Sequence, residues 1–81
     1  MRRYFFDICD DGNLVRDEEG LNLATMDAVQ DEAAWTLVEM ARDDLRAGSG
    51  FRADRHLAIE VRDGERAVMR ATFSFEVSRL H

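Results

Sequence analysis

The sequence predicts an α+β domain of order β-β-α-β-β, with one amphipathic helix packed on a mostly antiparallel four-stranded sheet. Three observations predict it. Apolar and polar residues alternate over 57–62 and again over 69–77, the period of a half-buried strand. Apolar residues recur at helical spacing between them and the N-terminal third, at Val29, Ala33, Leu37, Met40, Ala41 and Leu45. The N-terminal run 3–9 is rich in aromatic and branched residues and stands just before a reversal signal. A helix covering one face of a sheet buries all of these apolar stripes together.

Each element follows in order. Tyr4, Phe6 and Ile8 fall on one face of a first strand. Asp11-Gly12-Asn13 then reverses the chain into a second strand at Leu14-Val15-Arg16, forming a hairpin. Asp17-Glu18-Glu19-Gly20 ends that strand, and Leu21-Asn22-Leu23 leads toward the helix. The helix is expected over about residues 27–47. Thr25 or Asp27 can cap it, and Asp27 with Gln30 fits a capping box. Gly48 and Gly50 end it, and acids near its start and Arg46 near its end suit the helix dipole. The third strand turns Leu57, Ile59 and Val61 inward and Glu60 and Arg62 outward. After Asp63-Gly64-Glu65, the fourth puts Met69, Ala71, Phe73, Phe75 and Val77 on one face. No linker or low-complexity stretch divides the chain, so a single domain is expected over 1–81.

Composition narrows the function. Seventeen acids oppose eleven bases, all arginine, for a net charge of -6. Nucleic-acid binding needs a concentrated basic surface, and anionic membranes attract basic segments, so neither partner is expected. Residues 1–50 carry twelve acids and five arginines, whereas residues 51–81 carry five acids and six arginines. An acidic side of this kind suits a basic protein partner. The apolar start at 4–8 is interrupted by Asp7 and is too short for a secretory signal or a membrane helix, so a cytoplasmic location is expected.

Nothing in the sequence proposes catalysis. His56 and His81 are isolated, the hydroxyl residues carry no motif, and there is no glycine-rich phosphate loop. Cys9 has acidic rather than basic sequence neighbours, which is not the setting of a reactive thiolate. The expectation is a non-enzyme with no cofactor, no catalytic residues and no dedicated metal ligands. An alternative places a divalent cation among the acids from Asp10 to Glu19, although their spacing is not that of a calcium loop.

Two places are candidate partner-binding sites. Trp35 falls on the charged side of the helix with Asp31, Glu39 and Arg42, and a tryptophan on such a face is expected to be exposed for contact. Arg16, Asp17 and Glu19 form a charged run in a tight connection, which either holds a partner or fixes the hairpin to the helix, with Arg16 paired to an acid and Gly20 at positive φ. The fourth strand adds a possible homodimer through the strand edge at Phe73 and Phe75, if it lies at the edge of the sheet.

Arg3-Tyr4-Phe5-Phe6, Asp11-Gly12, Arg16-Asp17-Glu18-Glu19-Gly20 and the helix that follows resemble a family of short bacterial proteins, common in rhizobia and related α-proteobacteria, known as a domain of unknown function. The resemblance extends to Val61-Arg62-Asp63-Gly64 near the last turn and implies a fold but no activity. This chain lacks the histidine that such proteins often carry near Asp7 or Cys9. A fainter similarity, through Thr25, Val29 and Ala33, is to HicB-type antitoxin domains, and it implies an antitoxin-like regulator that binds a basic protein. The Pro-Gly-Cys segment of those domains is missing here. The function expected is a small non-catalytic module that binds another protein or itself.

Overall fold

The computed structural model describes residues 1–48, 55–64 and 66–81. Its elements are β1 (Arg2–Asp10), β2 (Asn13–Val15), β3 (Leu21–Leu23), α1 (Met26–Arg46), β4 (Arg55–Asp63) and β5 (Arg66–Phe75). Every strand pairing is antiparallel. The sheet order is β2-β1-β4-β5, with β3 paired to β1 as well. The α+β architecture is the one the sequence predicts, with a fifth strand added. Leu21, Asn22 and Leu23, read above as a lead into the helix, pair with Tyr4, Arg3 and Arg2. Three residues are too few to show an alternation of their own, so only the pairing reveals the strand.

The β1–β2 reversal is built by Asp11 and Gly12, at φ 48° and 91°, the two positive values that a type I′ turn needs. On the face toward α1, Leu57, Ile59 and Val61 of β4 are fully buried with Val29, Ala33 and Leu37 of the helix and Tyr4 of β1. Phe6, Ile8, Met69, Ala71 and Phe73 are partly buried against this cluster. Val61 pairs with Met69 but Arg62 with Ala67, so Val68 is an extra residue in β5, and it too packs on the core.

Three expectations need correction. Thr25 alone caps α1, its hydroxyl accepting the Ala28 N–H at 3.0 Å, while Asp27 lies inside the first turn. Leu45 is not on the buried stripe but 59% exposed. The buried residues Val29, Ala33, Leu37 and Ala41 are four apart, and each such step rotates about 40° around the helix. Leu45 continues that row until it turns off the sheet. Val77 is likewise exposed, because pairing ends where Arg55 meets Phe75 and β5 stops there. Gly48 ends the helix at φ 76° as expected, while Gly50 lies outside the described residues.

Candidate functional site

The charged residues singled out near the hairpin are organised by two arginines from β4. Register sets Phe5 against Arg62 and Asp7 against Glu60, so Arg62 and Asp7 are diagonal neighbours on the face of the sheet away from α1. Arg62 donates Nε–H to Asp7 Oδ2 at 2.8 Å, Nη1–H to the Gly64 carbonyl at 2.7 Å and Nη2–H to the Asp17 carbonyl at 2.7 Å. Its guanidinium carbon stands 4.6 Å from the centre of the Phe5 ring. Asp7, only 6% exposed, uses its other oxygen to accept the Asp17 N–H at 2.9 Å.

Asp17 closes the connection between β2 and β3. One carboxylate oxygen accepts the Phe6 N–H at 3.0 Å, and the other accepts those of Glu19 and Gly20 at 3.0 and 3.2 Å. The Glu19 carbonyl takes the Arg3 Nε–H at 2.8 Å. Gly20 adopts φ 75°, and a Cβ there would stand 2.9 Å from the Phe5 ring and 3.0 Å from the Tyr4 carbonyl oxygen. Both Asp7 and Asp17 titrate below the usual carboxylate range. Burial opposes this, but the Arg62 hydrogen bond to Asp7 and the backbone N–H groups donated to Asp17 outweigh it, helped by the Arg62 charge.

The second arginine gathers the acids of the β1–β2 turn. The Arg55 side chain, 11% exposed, forms ion pairs with Asp10 and Asp11 of the turn and with Asp44 near the end of α1. It also donates Nε–H to Asp44 at 2.9 Å. A guanidinium therefore sits where these carboxylates converge. Among the described residues no group of three or more His, Cys, Asp or Glu side chains is arranged to hold a metal ion.

The two predicted sites are separate in the fold, one on α1 and one in the β2–β3 connection. Asp17 is used within the fold through its carboxylate, and Glu19 through its main-chain groups, its side chain being exposed. Arg16, expected to be paired to an acid, is exposed and makes no ion pair among the described residues. Arg62 takes that role instead, its acid being Asp7, 55 positions away, and it also donates to the Asp17 carbonyl. Arg16 borders a recess of about 280 Å³ with Asp7, Cys9, Leu14, Glu60 and Arg62. Trp35, on α1, is 61% exposed as expected, with Asp31 and Arg42 exposed and Glu39 half-buried beside it. Asp7, Arg62 and Arg55 were missed because each interrupts or flanks an apolar strand and has its partner far away in sequence.

Residues 3–74 match a family described as a domain of unknown function, DUF6894. The chain belongs to that family. The match runs from β1 into β5 and so takes in both arginine networks, which agrees with the resemblance to an uncharacterised family drawn from the sequence. No curated protein and no solved structure matches this DUF6894 chain. No helix among its described residues is long and apolar enough to cross a membrane.

Proposed function

We propose that this DUF6894 domain is a non-catalytic, self-associating module in which two copies join their β5 strands into one continuous antiparallel sheet. The observation that supports it is the unequal treatment of the outer strands. β1 pairs with β4 over residues 5–10, with β2 over 8–10 and with β3 over 2–4, and Asp17 takes the Phe6 N–H between the two short strands. β5 is ten residues long, ends the sheet order and pairs with β4 alone among the described residues. Such an edge is a template for another strand unless it is blunted by proline, charge, a bulge or a covering element. The Val68 bulge and Arg66 lie at the start of β5, so its regular stretch begins at Met69 and carries the single charge of Arg70. The chain has no proline. Phe73 and Phe75 are already engaged by other contacts, so the seam is placed at Met69–Thr72 rather than at the aromatic end.

Antiparallel pairing of identical strands about a two-fold axis is self-complementary. Registers that set Arg70 against its own copy are disfavoured, since like charges directly opposite destabilise a sheet. Sedimentation velocity across a wide concentration range tests the proposal, with a species of twice 9.3 kDa expected. Thr72→Lys adds a cation on the exposed side of β5 beside Arg70 and is expected to weaken the dimer about tenfold without unfolding the monomer. A monomer at every concentration overturns the proposal. So does a dimer that ignores Thr72→Lys and vanishes with Trp35→Ala.

A further inference from the structure

We infer that the outward face of α1 docks a basic, apolar-faced helix of a different protein. Trp35, Val38 and Leu45 are 61%, 57% and 59% exposed, and they succeed one another at spacings of three and seven residues. With Arg42 between the last two, the line Trp35-Val38-Arg42-Leu45 runs at intervals of three, four and three. This is the seam spacing by which one helix packs along another. The opposite face of α1 is consumed by the core through Val29, Ala33, Leu37 and Ala41. A lone exposed apolar side chain is ordinary, but three large ones in register, led by a tryptophan, match the anchors of a helix-in-groove contact.

Charge selects the occupant. Six acids are matched internally: Asp7 by Arg62; Asp10, Asp11 and Asp44 by Arg55; Glu60 by Arg70; Asp63 by Arg2, whereas Glu18, Glu19 and Glu76 stand singly or in a short run with no ion pair among the described residues. Around the outward line of α1 stand Asp27, Asp31, Glu32, Glu39 and Asp43, and none of them makes an ion pair among the described residues. Five unneutralised acids against Arg42 and Arg46 leave this face acidic. Two copies of it repel each other, and an anionic surface is repelled as well. A helix with lysine or arginine flanking its apolar stripe is attracted, with the charges steering encounter and the tryptophan supplying contact area.

Trp35 is the chain's single tryptophan, so its emission reports directly on whether this face is covered. The probes are two tryptophan-free synthetic helical peptides with the same leucine stripe, one carrying lysines and one glutamates on the polar face. Titration of the intact protein with the lysine peptide is expected to give a saturable blue shift that weakens with added salt. The glutamate peptide is expected to give none. Val38→Glu keeps the reporter and the fold and is expected to weaken lysine-peptide binding at least tenfold. Absence of a shift, equal shifts with both peptides, or a shift that survives Val38→Glu overturns the inference. So does a shift produced by concentrating the protein alone, which assigns the face to a second copy. Pairing through β5 leaves Trp35 uncovered, and Thr72→Lys is expected to bind the lysine peptide normally, so this inference and the dimer proposal fail separately.

Discussion

The Asp17 carboxylate accepts the main-chain N–H of Phe6 at 3.0 Å, across eleven residues of sequence. Asp7, next to Phe6, returns the contact by accepting the Asp17 N–H at 2.9 Å. The two aspartates thereby join β1 to the β2–β3 connection on the side away from β4, where neither β2 nor β3 pairs with it. Since Asp7 is buried, its charge is tolerable only because Arg62 and this N–H both serve it. Of the two readings of the acidic run, a hold on a partner or a fixing of the hairpin, Asp17 serves the second by fastening the sheet.

Acid is expected to loosen that fastening. A carboxyl whose folded value lies below its unfolded value stabilises the fold wherever it is ionised in both states, and loses that contribution as pH falls through the folded value. Both Asp7 and Asp17 are lowered from an ordinary value of 3.8. Urea unfolding is expected to show stability that is level near neutrality and declines below about pH 4. Asp17→Ala is expected to cost about 2 kcal/mol at pH 7, by stranding donors that it satisfies, and to make the acid decline shallower. An unchanged acid limb in that variant would remove Asp17 from the account.

Arg62 uses all three of its nitrogens, on Asp7, Gly64 and Asp17, and its plane lies over Phe5. Lysine offers a point charge on a flexible stem and cannot reproduce that fork. Arg62→Ala leaves Asp7 buried without its counter-ion and is expected to cost about 3 kcal/mol. Arg62→Lys should recover part of that loss but not most of it. Equal stability of the lysine variant and the natural chain, measured by chemical denaturation, would show that charge alone suffices.

Gly20 and Gly12 separate conformational strain from crowding. Both have positive φ, but a Cβ at Gly12 meets nothing within 4 Å, whereas one at Gly20 meets the Phe5 ring and the Tyr4 carbonyl. Gly12→Ala is expected to cost about 1 kcal/mol from backbone strain. Gly20→Ala carries the same strain plus a displacement of Phe5 from beneath Arg62, so it should cost at least twice as much. Thermal melts of the two variants make the comparison, and equal losses would mean that Phe5 moves aside freely.

The helix and the three long strands were legible because their signals are local. Leu57, Ile59 and Val61 alternate with polar residues, and the period of Val29, Ala33 and Leu37 is that of a helix with one buried face. The exposure of Trp35 followed from the same geometry. The fastening did not, because Asp7 and Arg62 are separated by 55 positions and no periodicity links them. Asp7 read as a break in an apolar run and as one of a cluster of acids near the hairpin. Arg55 was hidden for the same reason, its partners lying on the β1–β2 turn and at the end of α1. β3 went unseen because its pairing with β1, rather than any pattern of its own, makes it a strand.

Trp35 and Leu37, two residues apart on α1, are expected to respond oppositely to truncation. Leu37 is 5% exposed in the core cluster, and Leu37→Ala should cost about 3 kcal/mol through lost burial and a residual cavity. Trp35→Ala removes a larger side chain but should change stability by less than about 0.5 kcal/mol, since its ring rests on no core. Denaturation curves of both variants decide this. A large loss on Trp35→Ala would mean that the ring is fixed to its own chain and would undercut its assignment as a contact surface.

Arg55 holds three carboxylates that would otherwise face one another. Each of its pairs is partly exposed, with side-chain exposures of 40%, 29% and 37% for Asp10, Asp11 and Asp44. Each alone is worth little, and together they support on the order of 2 kcal/mol. Arg55→Gln removes the charge but keeps a polar side chain, leaving three anions near the junction of the β1–β2 turn, α1 and β4. Their repulsion is long-ranged and screenable, unlike the loss of a packed side chain. The destabilisation is therefore expected to be largest at low salt and to shrink as sodium chloride is raised toward 1 M. Asp44→Asn in the same background should recover part of the loss, because it removes one of the repelling charges. A salt-independent loss would show that Arg55 acts by packing its stem, and the account of a charge-balanced junction would then be wrong.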